Sequence, residues 1–198
     1  MLKEKLKNYN IILASGSPRR QEFFRLLDLD FTIDVREVEE VYDTETLEKS
    51  KITDYLAQLK ASAFEDLSEK DIVITSDTIV WKDGAAMGKP TDKEDAKSML
   101  KNLSGKNHEV FTSVSFTSKN FQKTINDSTK VWFNTLTDEE IEYYLTKYQP
   151  YDKAGSYGIQ DWIGYIGIER IEGCFFNVMG LPTRLVYKML TKIAARDF

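Results

Sequence analysis

Apolar positions along the chain alternate between short continuous runs and helical rhythms. Ile11-Ile12-Leu13-Ala14 and Asp71-Ile72-Val73-Ile74-Thr75 are β-branched, apolar and too short for helices, so each reads as a buried strand. Phe31–Val35 alternates like a third. Between the first and third, Phe23, Phe24, Leu26 and Leu27 make the inner face of a helix, opened by Ser17 as N-cap and Pro18 in its first turn. Residues 46–67 predict a long amphipathic helix with Ile52, Tyr55, Leu56, Leu59 and Ala63 inward. Thr91-Asp92-Lys93-Glu94 reads as a capping box with Thr91 as N-cap. The helix it opens buries Ala96, Met99, Leu100 and Leu103 and stops at Gly105. Strands near 109–118 and 124–134 follow, the first with Val110, Thr112, Val114 and Phe116 on one face. A second capping box, Thr137-Asp138-Glu139-Glu140, opens a helix with Ile141, Tyr144, Leu145 and Tyr148 inward. A tight turn over 177–182 leads into a last helix facing inward with Leu185, Val186, Met189, Leu190 and Ile193. Residues 1–10 read as a polar lead-in. Strands interleaved with helices are the pattern of an α/β protein.

Composition narrows the class. The 198 residues, 41% hydrophobic and 30% charged, suit one globular domain spanning 1–198, with room for two lobes. A net charge of −5 argues against a nucleic-acid groove binder, yet a nucleotide substrate needs only a small local basic cluster. The single cysteine, Cys174, excludes an intrachain disulfide and suits a reducing cytosol. No apolar run approaches the roughly 18–20 residues that span a membrane. The N-terminus has no apolar segment resembling a signal peptide, so a cytoplasmic location is expected. No Walker A loop, GxGxxG or CxxC pair is present, so any phosphate chemistry is assembled another way. His108 is the only histidine and reads as structural.

Four stretches and one lysine outside them carry candidate chemistry. The 71–75 strand delivers Ser76, Asp77 and Thr78 to its end, and Gly88-Lys89-Pro90 presents a cation after the Gly84 turn. An acid, a hydroxyl and a lysine in one strand–turn–strand unit suit a metal-bound polyphosphate. Ser15-Gly16-Ser17-Pro18-Arg19-Arg20 places a helix N-terminus beside two guanidinium groups, either an anion site or a capped surface helix with solvated arginines. Glu37, Glu39, Glu40 and Asp43 form an acidic run that is either solvated or shares a divalent cation with Asp77. Lys60, next to the apolar face of its helix, either reaches solvent, the simpler reading, or points into a cleft. In residues 149–173, glycines punctuate a segment where Gln160 offers a donor and an acceptor together, matching a uracil or thymine edge. A turn-rich β segment with nothing to bind is the other reading.

Six segments in register resemble one family, the Maf (septum-formation-inhibitor-like) nucleoside triphosphate pyrophosphatases. They are LASGSPRR (Leu13–Arg20), SDTIV (Ser76–Val80), GKP (Gly88–Pro90), LSGKNHEVFTSV (Leu103–Val114), DKAGSYGIQ (Asp152–Gln160) and IEGCFFNVMGLP (Ile171–Pro182). DKAGSYGIQ is similar to the subgroup hydrolysing dTTP and UTP rather than the one acting on 7-methyl-GTP. The resemblance implies a mixed, twisted sheet flanked by helices, with an active-site cleft between two lobes. It implies cleavage between the α- and β-phosphates, giving a monophosphate and pyrophosphate in a house-cleaning role. Asp77 matches the catalytic proton acceptor, and Arg19, Thr78 and Gln160 match positions linked to substrate choice. Ser15, Ser17, Arg20, Lys60 and Lys89 fall at the phosphates, and Glu40 with Asp77 at an Mg²⁺ or Mn²⁺ ion. Asp161-Trp162 follows Gln160 where a glycine is commoner. The expected partner is a small-molecule nucleoside triphosphate, with no nucleic acid and no membrane, acted on by a homodimer. Two other classes remain: a non-catalytic nucleotide-binding regulator of cell division, and a pyrophosphatase for non-canonical purine nucleotides.

Overall fold

A computed structural model describes residues 1–196. In chain order its elements are α1 (Leu2–Leu6), β1 (Asn10–Leu13), α2 (Pro18–Leu26), β2 (Thr32–Ile33), α3 (Ser50–Ser62), β3 (Asp71–Lys82), β4 (Ala85–Met87) and α4 (Lys93–Leu103). They continue with β5 (Asn107–Ser118), β6 (Phe121–Phe133), α5 (Asp138–Tyr148), a 3-10 turn (Ala154–Ser156), α6 (Trp162–Gly167), β7 (Ile168–Glu172), α7 (Phe175–Val178) and α8 (Thr183–Ala195). The strands form one sheet in the order β2-β1-β3-β5-β6-β7, with β4 added to β3. β1 pairs in parallel with β2 and β3, while β3/β4 and β6/β7 are antiparallel, so the sheet is mixed.

The chain divides into two compact units. The first holds Met1–Asp77, Thr112–Asp127 and the segment from Gly180; the second holds Thr78–Phe111 and Ser128–Met179. In the first, Leu13, Phe24, Ile52, Ile72 and Ile74 are buried. Leu2 and Leu6, one helical turn apart, are also buried where α1 packs on α8. The supposed polar lead-in is therefore a short helix, its two leucines hidden among lysines. In the second unit, Ala96, Leu100 and Leu103 of α4 join Ile141, Tyr144 and Leu145 of α5 in one core with Val80, Val131 and Phe133. His108 is buried there, its Nε2 2.7 Å from the Tyr157 hydroxyl.

Several expected boundaries move, each for a local reason. The helix over 46–67 shortens to Ser50–Ser62. The Asp43 carboxylate accepts from the Glu45 N–H and the Thr46 hydroxyl, a side-chain turn that competes with helix, and Lys49 sits at φ 53°. At the other end Arg36 donates to the Ala63 carbonyl and lies 4.1 Å from the centre of the Phe64 ring. The strand over 31–35 shrinks to the edge pair Thr32–Ile33, with Ile33 and Val35 exposed. In α2, Leu26 is exposed, and Ser17 stands at the N-cap without a side-chain capping bond. The N-cap of α4 is Asp92, not Thr91: its carboxylate accepts from Asp95 N–H, while Asp95 in turn accepts from Thr91 N–H. Thr137 and Glu140 do form the reciprocal box that opens α5.

The largest correction concerns the central strand. Asp71–Thr75 does not stop at Ser76; β3 runs unbroken for 12 residues to Lys82. It then turns through Asp83 and Gly84, at φ 51° and 82°, into β4. Two consecutive positive φ values are what a two-residue hairpin turn of right-handed twist requires, and Asp-Gly supplies them at low cost. Ser76, Asp77 and Thr78 thus lie inside a strand rather than beyond its end.

Candidate active site

Asp77 is placed by a match between strand and helix repeats. Alternate residues of a strand face the same side, so Thr75 and Asp77 point one way. The Thr75 hydroxyl donates to the Ala57 carbonyl on α3 at 2.6 Å. One turn further along that helix, the Lys60 ammonium donates to Asp77 Oδ1 at 2.7 Å. Two steps along β3 therefore meet one turn of α3, with a hydroxyl–carbonyl bond fixing the register beside the ion pair. The helix is also held from its other end, where Thr53 meets the Ser113 hydroxyl and Asp54 accepts from Ser113 and Asn126. Lys60 also lies 3.0 Å from Glu40 Oε2. Side-chain exposure is 12% for Asp77 and 19% for Lys60. The solvated reading of Lys60 is therefore overturned: its ammonium is drawn onto two carboxylates. Lys60 thus holds the Asp77 carboxylate through Oδ1.

The loop after β1 comes up beside these groups. Parallel pairing of Leu13 with Ile74 brings Ala14 N–H onto the Ile74 carbonyl at 2.9 Å, so Ser15 follows next to the Thr75–Asp77 stretch. Ser15 is buried, and its hydroxyl accepts from Ser17 N–H at 3.3 Å. Arg20, in the first turn of α2, donates through Nε to the Gly180 carbonyl at 2.8 Å and through Nη1 to the Ser76 carbonyl at 2.9 Å. It thereby braces the peptide just before Asp77. Burial pulls the Arg20 guanidinium down to about 10, and the nearby Asp77 charge opposes that pull, so it stays a cation at neutral pH. Arg19 follows Pro18 on the same first turn and is half-buried. The ends of parallel strands, where loops meet helix N-termini, are the usual ligand positions of open α/β sheets. The first unit thus brings together Glu40, Lys60, Asp77, Arg20, Ser15 and Ser17.

The remaining candidates belong to the second unit. Thr78 is half-buried on β3, and Lys89 is exposed after β4. The loop holding Lys89 is pinned where Gly155 N–H donates to the Gly88 carbonyl at 3.0 Å. Gly155 stands at φ 67°, and a Cβ there would come within 3.0 Å of Val80, so backbone freedom and close packing both call for glycine. Gln160 is half-buried, and its Nε2 donates to Asp161 Oδ1 at 3.2 Å. Asp161 Oδ2 accepts from the Tyr144 hydroxyl at 2.8 Å, and that hydroxyl accepts from Gly158 N–H at 3.0 Å. Burial raises the Tyr144 hydroxyl well above its ordinary value, which keeps it a donor.

Sequence reasoning joined Glu40 with Asp77 and named Lys60 apart from them, but missed the Thr75–Ala57 bond and the Arg20 brace. Both run from a side chain to a backbone carbonyl distant in sequence, and such acceptors leave no residue signature. It also missed Asp161 and Tyr144 as partners of Gln160, although the replacement of a common glycine by Asp161 was the available signal. Among the described residues no group of three or more His, Cys, Asp or Glu gathers as for a metal, and no helix is long and apolar enough to cross a membrane.

Comparison with known proteins supplies the context. A family model described as "Maf-like protein" matches residues 10–193. The dTTP/UTP pyrophosphatase of Christiangramia forsetii is 59% identical over 194 residues, 98% of this chain and 98% of that protein. The Flavobacterium psychrophilum protein of the same name is 57% identical over 191 residues, 96% of this chain and 97% of that one. That of Bacteroides thetaiotaomicron is 46% identical over 190 residues, 95% and 98% of the two chains. Among solved structures, the Staphylococcus aureus Ham1 protein superposes with a TM-score of 0.52 over 93% of this chain and 99% of that one. At 16% identity this likeness is one of fold alone.

Proposed function

The chain belongs to the Maf-like protein family, and from that premise we propose that it hydrolyses dTTP and UTP to the nucleoside monophosphate and pyrophosphate. The proposal treats the whole chain as one catalytic domain. The observation that carries it is the Asp77 carboxylate, mostly withdrawn from solvent and held through Oδ1 by Lys60. Near-full-length relatives bearing the name dTTP/UTP pyrophosphatase support the choice of substrate.

In this reading Asp77 Oδ2 takes the proton of the attacking water, a step that general-base help speeds by ~10²–10⁴-fold. Lys60 orients the carboxylate and sets a positive charge beside the reacting phosphate. Arg19, Ser15, Ser17 and the backbone N–H groups opening α2 bind phosphate oxygens. Arg20 adds charge there while bracing the Asp77 peptide, and Lys89 is assigned a phosphate-binding role. Charge placed in advance against the phosphoryl oxygens is where most phosphoryl-transfer catalysis arises. Thr78 and Gln160 read the base.

The residues present fit a divalent cation. Asp77 and Glu40 aim hard oxygen donors at one cationic point, now met by the Lys60 ammonium at 2.7 and 3.0 Å. Two carboxylates without a third acid suit Mg²⁺ or Mn²⁺ completed by water and substrate phosphates rather than an all-protein cage. When bound, such an ion supplies positive charge against the phosphate oxygens.

The test is pyrophosphate release across canonical and modified NTPs and dNTPs with Mg²⁺ or Mn²⁺, wild type beside Asp77→Asn. Fast turnover of dTTP and UTP, reduced by about 10²-fold or more in the variant, is expected. Turnover of purine nucleotides alone overturns the substrate, and no turnover of any nucleotide favours a binding protein.

A further inference from the structure

We propose that Asp161 is a positioning residue that locks the Gln160 amide in one orientation and so makes the site select 4-oxo pyrimidines, uracil and thymine, over 4-amino ones. The inference rests on the pyrimidine triphosphate reading above.

The argument begins with acceptors and donors. Asp161 Oδ1 lies 3.2 Å from the Gln160 amide, and a carboxylate oxygen accepts but does not donate. The amide must therefore turn its NH₂ toward Asp161, which settles the orientation that a glutamine otherwise leaves open. The carboxylate is itself fixed. Gly158 N–H donates to the Tyr144 oxygen, so the single Tyr144 proton goes on to Asp161 Oδ2 at 2.8 Å. Asp161 stands at the N-cap of α6 yet makes no capping bond, its oxygens being engaged with Tyr144 and Gln160 instead. The backbone leaves room for this arrangement at one place. A Cβ on Gly158 would sit 2.5 Å from Asp161 Oδ2 and 2.7 Å from Gln160 Nε2.

With one N–H bound to Asp161, Gln160 presents its carbonyl oxygen and its second N–H in a fixed order. A 4-oxo pyrimidine offers the N3–H donor beside the O4 acceptor, and both pair with that edge. A 4-amino pyrimidine reverses the order, with an N3 acceptor beside an N4–H donor. To meet it the amide must turn over, which sets the Gln160 carbonyl against the Asp161 carboxylate, two acceptors with no proton between them. A buried polar mismatch of this kind is what lets a site reject a close analogue. The 5-methyl group plays no part, so dTTP and UTP are accepted alike.

The experiment compares kcat/KM for UTP and CTP in wild type, Asp161→Asn and Tyr144→Phe, each checked for folding by circular dichroism. In Asp161→Asn the new amide can donate to a turned-over Gln160, so the UTP/CTP ratio should fall by about tenfold or more, mainly through a gain on CTP. Tyr144→Phe removes the hydrogen bond to Oδ2, leaving the Lys153 ammonium 3.9 Å from that oxygen, and should lower the ratio by a smaller factor. If Asp161→Asn does not fold, the Tyr144→Phe ratio decides. Ratios within about twofold of wild type, or a kcat loss equal for both bases, assign Asp161 a structural role only and overturn the proposal. Wild type turning over UTP and CTP equally overturns it while leaving the pyrophosphatase reading intact. Wild type releasing no pyrophosphate from any pyrimidine nucleotide removes both.

Discussion

Lys60 contacts Asp77 and Glu40 on unequal terms. The Asp77 contact is shielded, whereas Glu40 has a side chain 49% exposed. Exposed ion pairs contribute about 0–1 kcal/mol, so the Glu40 contact steers the lysine more than it stabilises the fold. The Asp77 contact, with both partners largely out of water, sets where the carboxylate stands. His108 illustrates the reverse case, a buried group kept neutral. Burial first, and the Lys82 charge second, hold its imidazole well below the usual value, at about 3. As pH falls below about 6.5 the unfolded chain takes up this proton while the folded chain refuses it until about 3. Stability tied to His108 is thus complete above 6.5 and drains as pH falls through that window, with a slope approaching about 1.4 kcal/mol per pH unit. Between pH 6.5 and 5 most carboxylates remain ionised in both states. Denaturant unfolding of His108→Gln across that range should show a visibly flatter dependence on pH than wild type. An unchanged slope would mean that the imidazole does not titrate as argued.

Elements differ in how far their own residues specify them. The capping box at α5 is local: Glu140 N–H donates to the Thr137 hydroxyl at 3.2 Å, and Thr137 N–H to the Glu140 carboxylate at 2.7 Å. Every participant lies within four residues, so the motif is readable from the sequence. Thr137→Ala should cost about 1 kcal/mol, seen as a melting temperature lowered by about 2–4 °C in a chain of this size. A melting temperature equal to wild type would contradict the cap. At α4 three neighbouring side chains compete to cap, and the bond shared by Asp92 and Asp95 wins by one residue. β3 was harder to read. Its Thr-Ser-Asp-Thr stretch looks like a strand end because the acceptor that permits Thr75 to be buried is a carbonyl on α3. Polar residues inside a strand become intelligible only once the packed neighbour is known. The same holds for the Leu2/Leu6 pair, whose meaning depends on α8.

At the scale of the whole molecule, the alternation of strand and helix announces an α/β protein, and the mixed sheet with flanking helices agrees. The order β2-β1-β3-β5-β6-β7 could not be read from local pattern, since it depends on pairings between residues such as Asn10 and Asp71, far apart in the chain. Site chemistry followed the same division. Residue types were visible in the motifs, but the oxygen to which each donor is committed was not. A net charge of −5 does not conflict with an anionic substrate, because Lys60 and Arg20 set positive charge beside Asp77 in the first unit. The central claim is cleavage between the α- and β-phosphates, and ³¹P NMR of the products from UTP reads it directly. Appearance of UMP and pyrophosphate as the β and γ signals of UTP vanish is the predicted result; UDP with inorganic phosphate would contradict the account.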